Sequence, residues 1–259
     1  MSTNSHTLVL ANEKGGTGKS TVAVHLAVAL AARGARVRLF DLDERQRTSF
    51  RYLENRGHYI RAHERPLPLP EARVLAPGAD VAAAAAEAAQ DGVEVLVFDT
   101  PGRDSPEART ALALADTLVT PINDSFIDFD LIGQVDPESY QVTRPSFYAE
   151  TVWKAKAARA RTEGRTLDWV LLRNRLSTLE ARNRRRVGTA LEQLSKRIGF
   201  RIAPGLSERV IYRELFPKGL TLLDIEEIGE VAMSHVAARA EIRELLQALH
   251  LEGVRAEAC

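Results

Sequence analysis

Apolar strand-like runs alternating with helical segments, and a glycine-rich turn joining the first strand to the first helix, predict a single doubly wound α/β domain over residues 1–259. Its sheet is expected to be mostly parallel and flanked by helices. Taken in order, the runs Thr7–Ala11 and Arg36–Leu42 flank a helical stretch, Lys19–Ala32, that stops at Gly34, which makes one βαβ unit. Glu94–Phe98, Thr117–Pro121 and Asp168–Arg173 are largely apolar, as strands covered on both faces are. Arg65–Gly78 carries Pro66, Pro68, Pro70 and Pro77 and is expected to be a surface connection, neither helix nor central strand. Ala79–Ala89 is almost all alanine, a helix by propensity. Val231, Ala238, Ile242, Leu245 and Leu249 recur at helical spacing and predict a terminal helix that packs one face inward. Short flexible termini are expected at 1–6 and 251–259.

The 259 residues include 35 Lys+Arg and 35 Asp+Glu, so the formal net charge is zero and the chain is not basic throughout. With 45% hydrophobic and 27% charged residues it has the composition of a soluble domain with a sizeable core. The longest small-apolar run, Val22–Ala32, is too short for a bilayer and is interrupted by His25. Met1–His6 lacks the basic-then-apolar order of a secretory signal, so a cytoplasmic protein without membrane attachment is expected. The single cysteine, Cys259, excludes an intramolecular disulfide, a multi-cysteine metal site and an iron–sulfur cluster.

The first strand is followed by Lys14-Gly15-Gly16-Thr17-Gly18-Lys19-Ser20-Thr21 and then a helix. Glycines let successive backbone N–H groups converge on one anion, the helix N-terminus adds positive potential, and Lys19 reaches the β- and γ-phosphates. Ser20 supplies a hydroxyl for Mg²⁺. Where a standard P-loop has glycine, position 13 is Glu13, and Lys14 follows it. Val95–Asp99 is an apolar strand ending in a carboxylate, so Asp99 is the candidate for Mg²⁺-bound water. Asp41-Leu42-Asp43 forms a second acidic strand end. Alternation is expected to put both carboxylates on one side, where either could hold a nucleophilic water or the metal hydration shell. Asn174, at the end of the fifth predicted strand, carries a donor and an acceptor that suit the adenine edge. Its neighbours offer no carboxylate for guanine, which favours ATP over GTP.

With this loop, Asp43 and Asp99, the chain resembles the deviant Walker A ATPases, the family that includes the ParA partition proteins and MinD, and Lys14 decides that likeness. Asn12–Lys14, Asp41–Ser49, Pro121–Asp130 and Arg209–Phe216 are similar to the MipZ division-site branch of the family, and the similarity runs from residue 7 to about residue 250. The resemblance implies a slow, dimerisation-dependent ATP hydrolase, with Lys14 acting across a nucleotide-sandwich homodimer and Asp43 in catalysis. It also adds Asn123 to the candidate nucleotide contacts. It further implies that the ATP dimer binds DNA non-specifically and inhibits polymerisation of FtsZ, while ParB recruits the monomer. The protein would then be nucleoid-associated with polar enrichment. The alternatives are a ParA-type chromosome or plasmid partition ATPase and, in another class, a metabolic P-loop enzyme with a small-molecule second substrate.

Charge is segregated despite the zero balance. Thr178–Arg201 carries Arg182, Arg184, Arg185, Arg186, Lys196, Arg197 and Arg201 against only Glu180 and Glu192. On a helix, Val187, Leu191, Leu194 and Ile198 form one apolar face, with Arg182, Arg185 and Lys196 opposite. A solvated surface helix has the same look, but given the resemblance Arg182, Arg185, Arg186, Lys196 and Arg197 are read as phosphate contacts. Arg213, with Arg209 and Lys218, extends the patch. No base-reading motif is visible, so no sequence preference is expected.

Overall fold

A computed structural model describes residues 5–123, 128, 130–135, 142–176, 181–227, 229 and 232–251. Its centre is a seven-stranded, all-parallel sheet in the order β3-β2-β4-β1-β5-β8-β9. The strands are β1 (His6–Leu10), β2 (Val37–Asp41), β3 (Glu71–Val74), β4 (Val95–Asp99), β5 (Thr117–Asn123), β8 (Asp168–Asn174) and β9 (Arg201–Ala203). A separate antiparallel pair, β6 (Gly133–Val135) and β7 (Val142–Pro145), lies between β5 and β8 in the chain. The helices are α1 (Lys19–Ala32), α2 (Thr48–His63), α3 (Val81–Gln90), α4 (Pro106–Leu114), α5 (Phe147–Glu163), α6 (Ala181–Ile198), the single turn α7 (Ile211–Leu215) and α8 (Met233–Ala248).

Period-two alternation sorts the sheet's side chains into two cores. Leu8, Leu10, Val95, Val97, Val170 and Leu172 pack with α1, α2, α7 and α8. Val9, Leu96, Phe98, Leu118 and Leu171 pack with α3, α4, α5 and α6 on the other face. The central strands are therefore buried on both sides, which explains why they read as continuous apolar runs. The expected apolar face of α6 is realised, with Val187, Leu191, Leu194 and Ile198 all buried. That of α8 is realised by Ala238, Ile242, Leu245 and Leu249, whereas Val231 lies outside the described residues. Most of both expected flexible termini also lies outside them.

Two expectations are corrected. The proline-rich connection contains β3, an edge strand that starts directly after Pro70 and pairs with β2 from Arg38↔Glu71 to Asp41↔Val74. Prolines exclude a central position but tolerate the start of an edge strand, and the ladder needs only four residues here. Asp168–Asn174 is not the fifth strand of the sheet, because β3 precedes it and the short β9 follows at the opposite edge. Pro121 stands inside β5, but beyond the last β1–β5 pair at Leu10↔Val119, where no partner on that side asks for its missing N–H.

Candidate functional site

The loop between β1 and α1 sits at the carboxyl ends of the central strands. Gly16 (φ 75°) and Gly18 (φ 90°) adopt left-handed conformations that side chains resist, and Gly18 caps α1 without a side-chain acceptor. The first-turn N–H groups of α1 are thus left for an anion. Asn12, buried, fixes the loop's entry: its Nδ2 donates to Pro121 O (2.5 Å) and its Oδ1 accepts from Lys14 N (2.7 Å). Asn174 braces the exit, donating from Nδ2 to Thr17 O at 2.8 Å while its Oδ1 accepts from Arg175 N at 2.9 Å. A Cβ on Gly18 would collide with that amide.

A cleft opens over the loop, lined by Gly15, Lys19, Ser20, Thr21, Asp43 and Gly102 among others. Lys19 is buried and its Nζ donates to Lys14 O at 3.0 Å. Burial holds its ammonium below the usual lysine range, against the pull of Asp99 and Asp43. Asp99 pairs in register with Leu10 on one side and Asp41 on the other. Burial, together with the Asp41 carboxylate, pushes the Asp99 carboxyl up to about 7, opposed by Ser20, Ser49 and Lys19. Its Oδ1 is buried with no hydrogen-bond partner among the described residues. A buried orphan acceptor beside a serine hydroxyl and a lysine fits a hydrated Mg²⁺ bound to phosphate.

Asp41 and Asp43 do not share a face in the way strand alternation suggests. β2 ends at Asp41, which is fully buried and serves as an anchor, accepting from Ser49 Oγ (2.8 Å), Phe50 N (3.1 Å) and Asp43 N (2.9 Å). Burial raises its carboxyl, against those bonds. Asp43, two residues past the end of β2, lines the cleft and accepts from Arg45 N and Gln46 N, each at 3.2 Å. Thr17 and Thr21 complete the loop, the former buried and the latter lining the cleft.

Lys14 does not project freely. Its ammonium ion-pairs with Asp128, whose other oxygen accepts from Asn123 N at 2.9 Å. Asn123 and Asn174 end neighbouring strands as a register pair, yet only Asn174 lines the second cavity described next.

That cavity adjoins the phosphate cleft and shares Gly18, Thr21 and Arg175 with it. Val22, Leu206, Tyr212 and Ile242 supply apolar walls, with Ser207 and Arg209 polar at the margin. A flat heterocycle suits such a lining. Sequence reading missed these walls, because residues from α1, α7, α8 and the segment after β9 meet only in the fold. The partner of Lys14, Asp128, lies inside Pro121–Asp130, a segment the resemblance singles out without giving this residue a role.

The basic residues divide. Lys196 and Arg197 are exposed on α6, and the side chains of Arg182, Arg185 and Arg186 lie outside what is described. Arg213 stands on α7, in the opposite helical layer, where it lines the second cavity and reaches Glu208 at 3.5 Å. No helix among the described residues is long and apolar enough to cross a membrane.

Comparison with known proteins matches this architecture. MinD from Pyrococcus horikoshii OT3, solved with Mg-ADP, superposes with a TM-score of 0.61 at 15% identity, covering 98% of this chain and 100% of that one. A chain of the MinC:MinD cell division protein complex of Aquifex aeolicus gives 0.59 at 16% identity, over 98% and 99%. At such identities the likeness is one of fold. The chromosome-partitioning ATPase Soj of Thermus thermophilus is 32% identical over 133 residues, 44% of this chain and 53% of Soj, so the chain spans about half the length of that curated relative. Residues 6–253 match the family described as ATPase MipZ, and on that match across nearly the whole chain the protein belongs to the MipZ family of ATPases.

Proposed function

We propose that this protein is an ATP-driven monomer–dimer switch whose ATP-bound homodimer binds DNA non-specifically and restrains FtsZ polymerisation, with its monomer recruited by ParB. The observation that carries the nucleotide part is the pair of adjoining cavities: one is lined by loop amides, Lys19 and carboxylates, the other by apolar walls, and together they match the two ends of a nucleoside triphosphate. The loop amides and Lys19 bind the β- and γ-phosphates, and Lys19 gives up its bond to Lys14 O to do so. Ser20, Asp43 and Asp99 would hold Mg²⁺, which supplies charge neutralisation on the phosphates. Asp43, at the cleft rim, orients the attacking water. Lys14 exchanges Asp128 for the partner protomer's phosphates and offsets charge in trans, as an arginine finger does. Asn174, once its amide leaves Thr17 O, is placed to meet the base edge, and Asn123 steadies the neighbouring strand end.

DNA contact through Lys196, Arg197, Arg182, Arg185 and Arg186, aided by Arg213, accords with the exposed basic end of α6. A nucleoid-associated protein with polar enrichment through ParB follows from the same reading. A ParA-type partition ATPase is the second reading, favoured by the likeness to Soj.

Size-exclusion chromatography with and without ATP, alongside Lys19→Ala, Lys14→Ala and Asp43→Ala, tests the switch. Lys19→Ala is expected to lose nucleotide, Lys14→Ala to keep nucleotide but stay monomeric, and Asp43→Ala to accumulate dimer. Equal nucleotide loss in the two lysine variants overturns the assignment. FtsZ sedimentation with the ATP dimer separates the division role from partition.

A further inference from the structure

Arg175 is held in an unusual way for an arginine. Its φ is 53°, in the left-handed region that side chains other than glycine avoid. The backbone around it is pinned on both sides: Arg175 N donates to Asn174 Oδ1 (2.9 Å), Leu176 N donates to Leu206 O (2.9 Å), and Leu206 N donates to Arg173 O (2.9 Å). Strain of this kind persists where the surroundings over-determine it, and it collects at ligand sites. The side chain is exposed, so packing does not account for the conformation.

Its location gives the fixed backbone a use. Among the described residues, Arg175 is the one charged side chain that lines both the phosphate cleft and the apolar cavity. Lys19 lines only the first, and Arg209 and Arg213 only the second. A nucleotide whose base fills one cavity and whose terminal phosphates fill the other must pass its ribose and α-phosphate across this seam. We infer that Arg175 is the α-phosphate ligand of the site, adding to its preference for nucleotides over nucleosides and contributing equally to ADP and ATP. The inference rests on the nucleotide reading above.

A guanidinium hydrogen bond to phosphate is charge-assisted and exceeds a neutral one, so its loss is worth about tenfold or more in affinity. The test uses fluorescent ATP and ADP analogues, with unlabelled adenosine as competitor, on the full chain. Arg175→Ala is expected to weaken ATP and ADP alike by about tenfold and to leave adenosine competition unchanged. Arg175→Gly is expected to show the same affinity loss while melting roughly 2–4 °C above Arg175→Ala, since glycine relieves the left-handed strain. Unchanged ATP and ADP affinity in both variants overturns the inference, and so does loss confined to ATP or shared by adenosine. Wild-type protein that binds no nucleotide overturns the nucleotide reading itself, a different failure from variants that match a binding wild type.

Discussion

The ammonium of Lys14, 45% exposed, is ion-paired to the carboxylate of Asp128, which is only 2% exposed. The deviant lysine of the loop is therefore engaged within its own protomer, by a residue that also receives the N–H of Asn123. Removing Lys14 strands a buried charge, whereas removing both groups does not. Lys14→Ala is expected to cost about 1–2 kcal/mol of stability, discounted for the half-exposed partner. The double variant with Asp128→Asn should recover most of that loss. Urea denaturation of the four proteins without nucleotide reads the coupling, and strictly additive losses count against the pair.

His25 lies wholly inside the core, its Nδ1 bonded to Thr21 O at 2.8 Å and its ring edge-on to Tyr52 and Tyr212. Burial pushes its imidazole down to about 4 from 6.5. The unfolded chain then binds the proton first, so stability rises with pH between about 4 and 6.5 and levels off above. Acidification from pH 7 to 4 should remove about 3 kcal/mol through this group. A His25→Gln variant should show a correspondingly flatter pH profile in thermal melts.

Gly102 follows Asp99-Thr100-Pro101, and a Cβ there would stand 2.9 Å from both Cα and N of Gly15. Backbone cannot yield as a flexible side chain does. Gly102→Ala is expected to displace the phosphate loop, cost about 1–3 kcal/mol and lower ATP affinity well beyond any change in global stability. Calorimetric titration with ATP, set beside a melt of the same sample, checks both.

Lys196 is exposed near the end of α6, clear of that helix's apolar face. Lys196→Ala should reduce the slope of log DNA affinity against log salt by about one for each protomer engaged, equally on unrelated sequences. An unchanged slope returns this residue to an ordinary solvated position.

The central strands and α1 were legible because burial on both faces leaves continuous apolar runs, and because the glycine loop marks where strand turns to helix. β3 was hidden by prolines that mark a boundary without forbidding the edge ladder behind them. Asp41 and Asp43 were separated by something composition does not carry, the residue at which β2 stops pairing. Lys19 and Ser20 belong to the loop motif and Asp99 to an apolar strand end, so each could be singled out locally; Lys19 and Ser20 line the cleft, while Asp99 is buried on β4 beside Asp41. The walls of the apolar cavity and the Asp128 partner arise from long-range meetings, with no local signature to betray them.

The bond from Asn174 Nδ2 to Thr17 O spans 157 positions of sequence. The nucleotide motif is accordingly not portable. A fragment ending after β5 would carry every residue from Lys14 to Asp99 and still lack the amide that props the loop's far side, the apolar cavity contributed by α7 and α8, and Arg175. Grafted onto another strand–helix junction, the same eight-residue loop would keep its glycines but not its shape. In this chain the short motif is completed by the half that contains none of it.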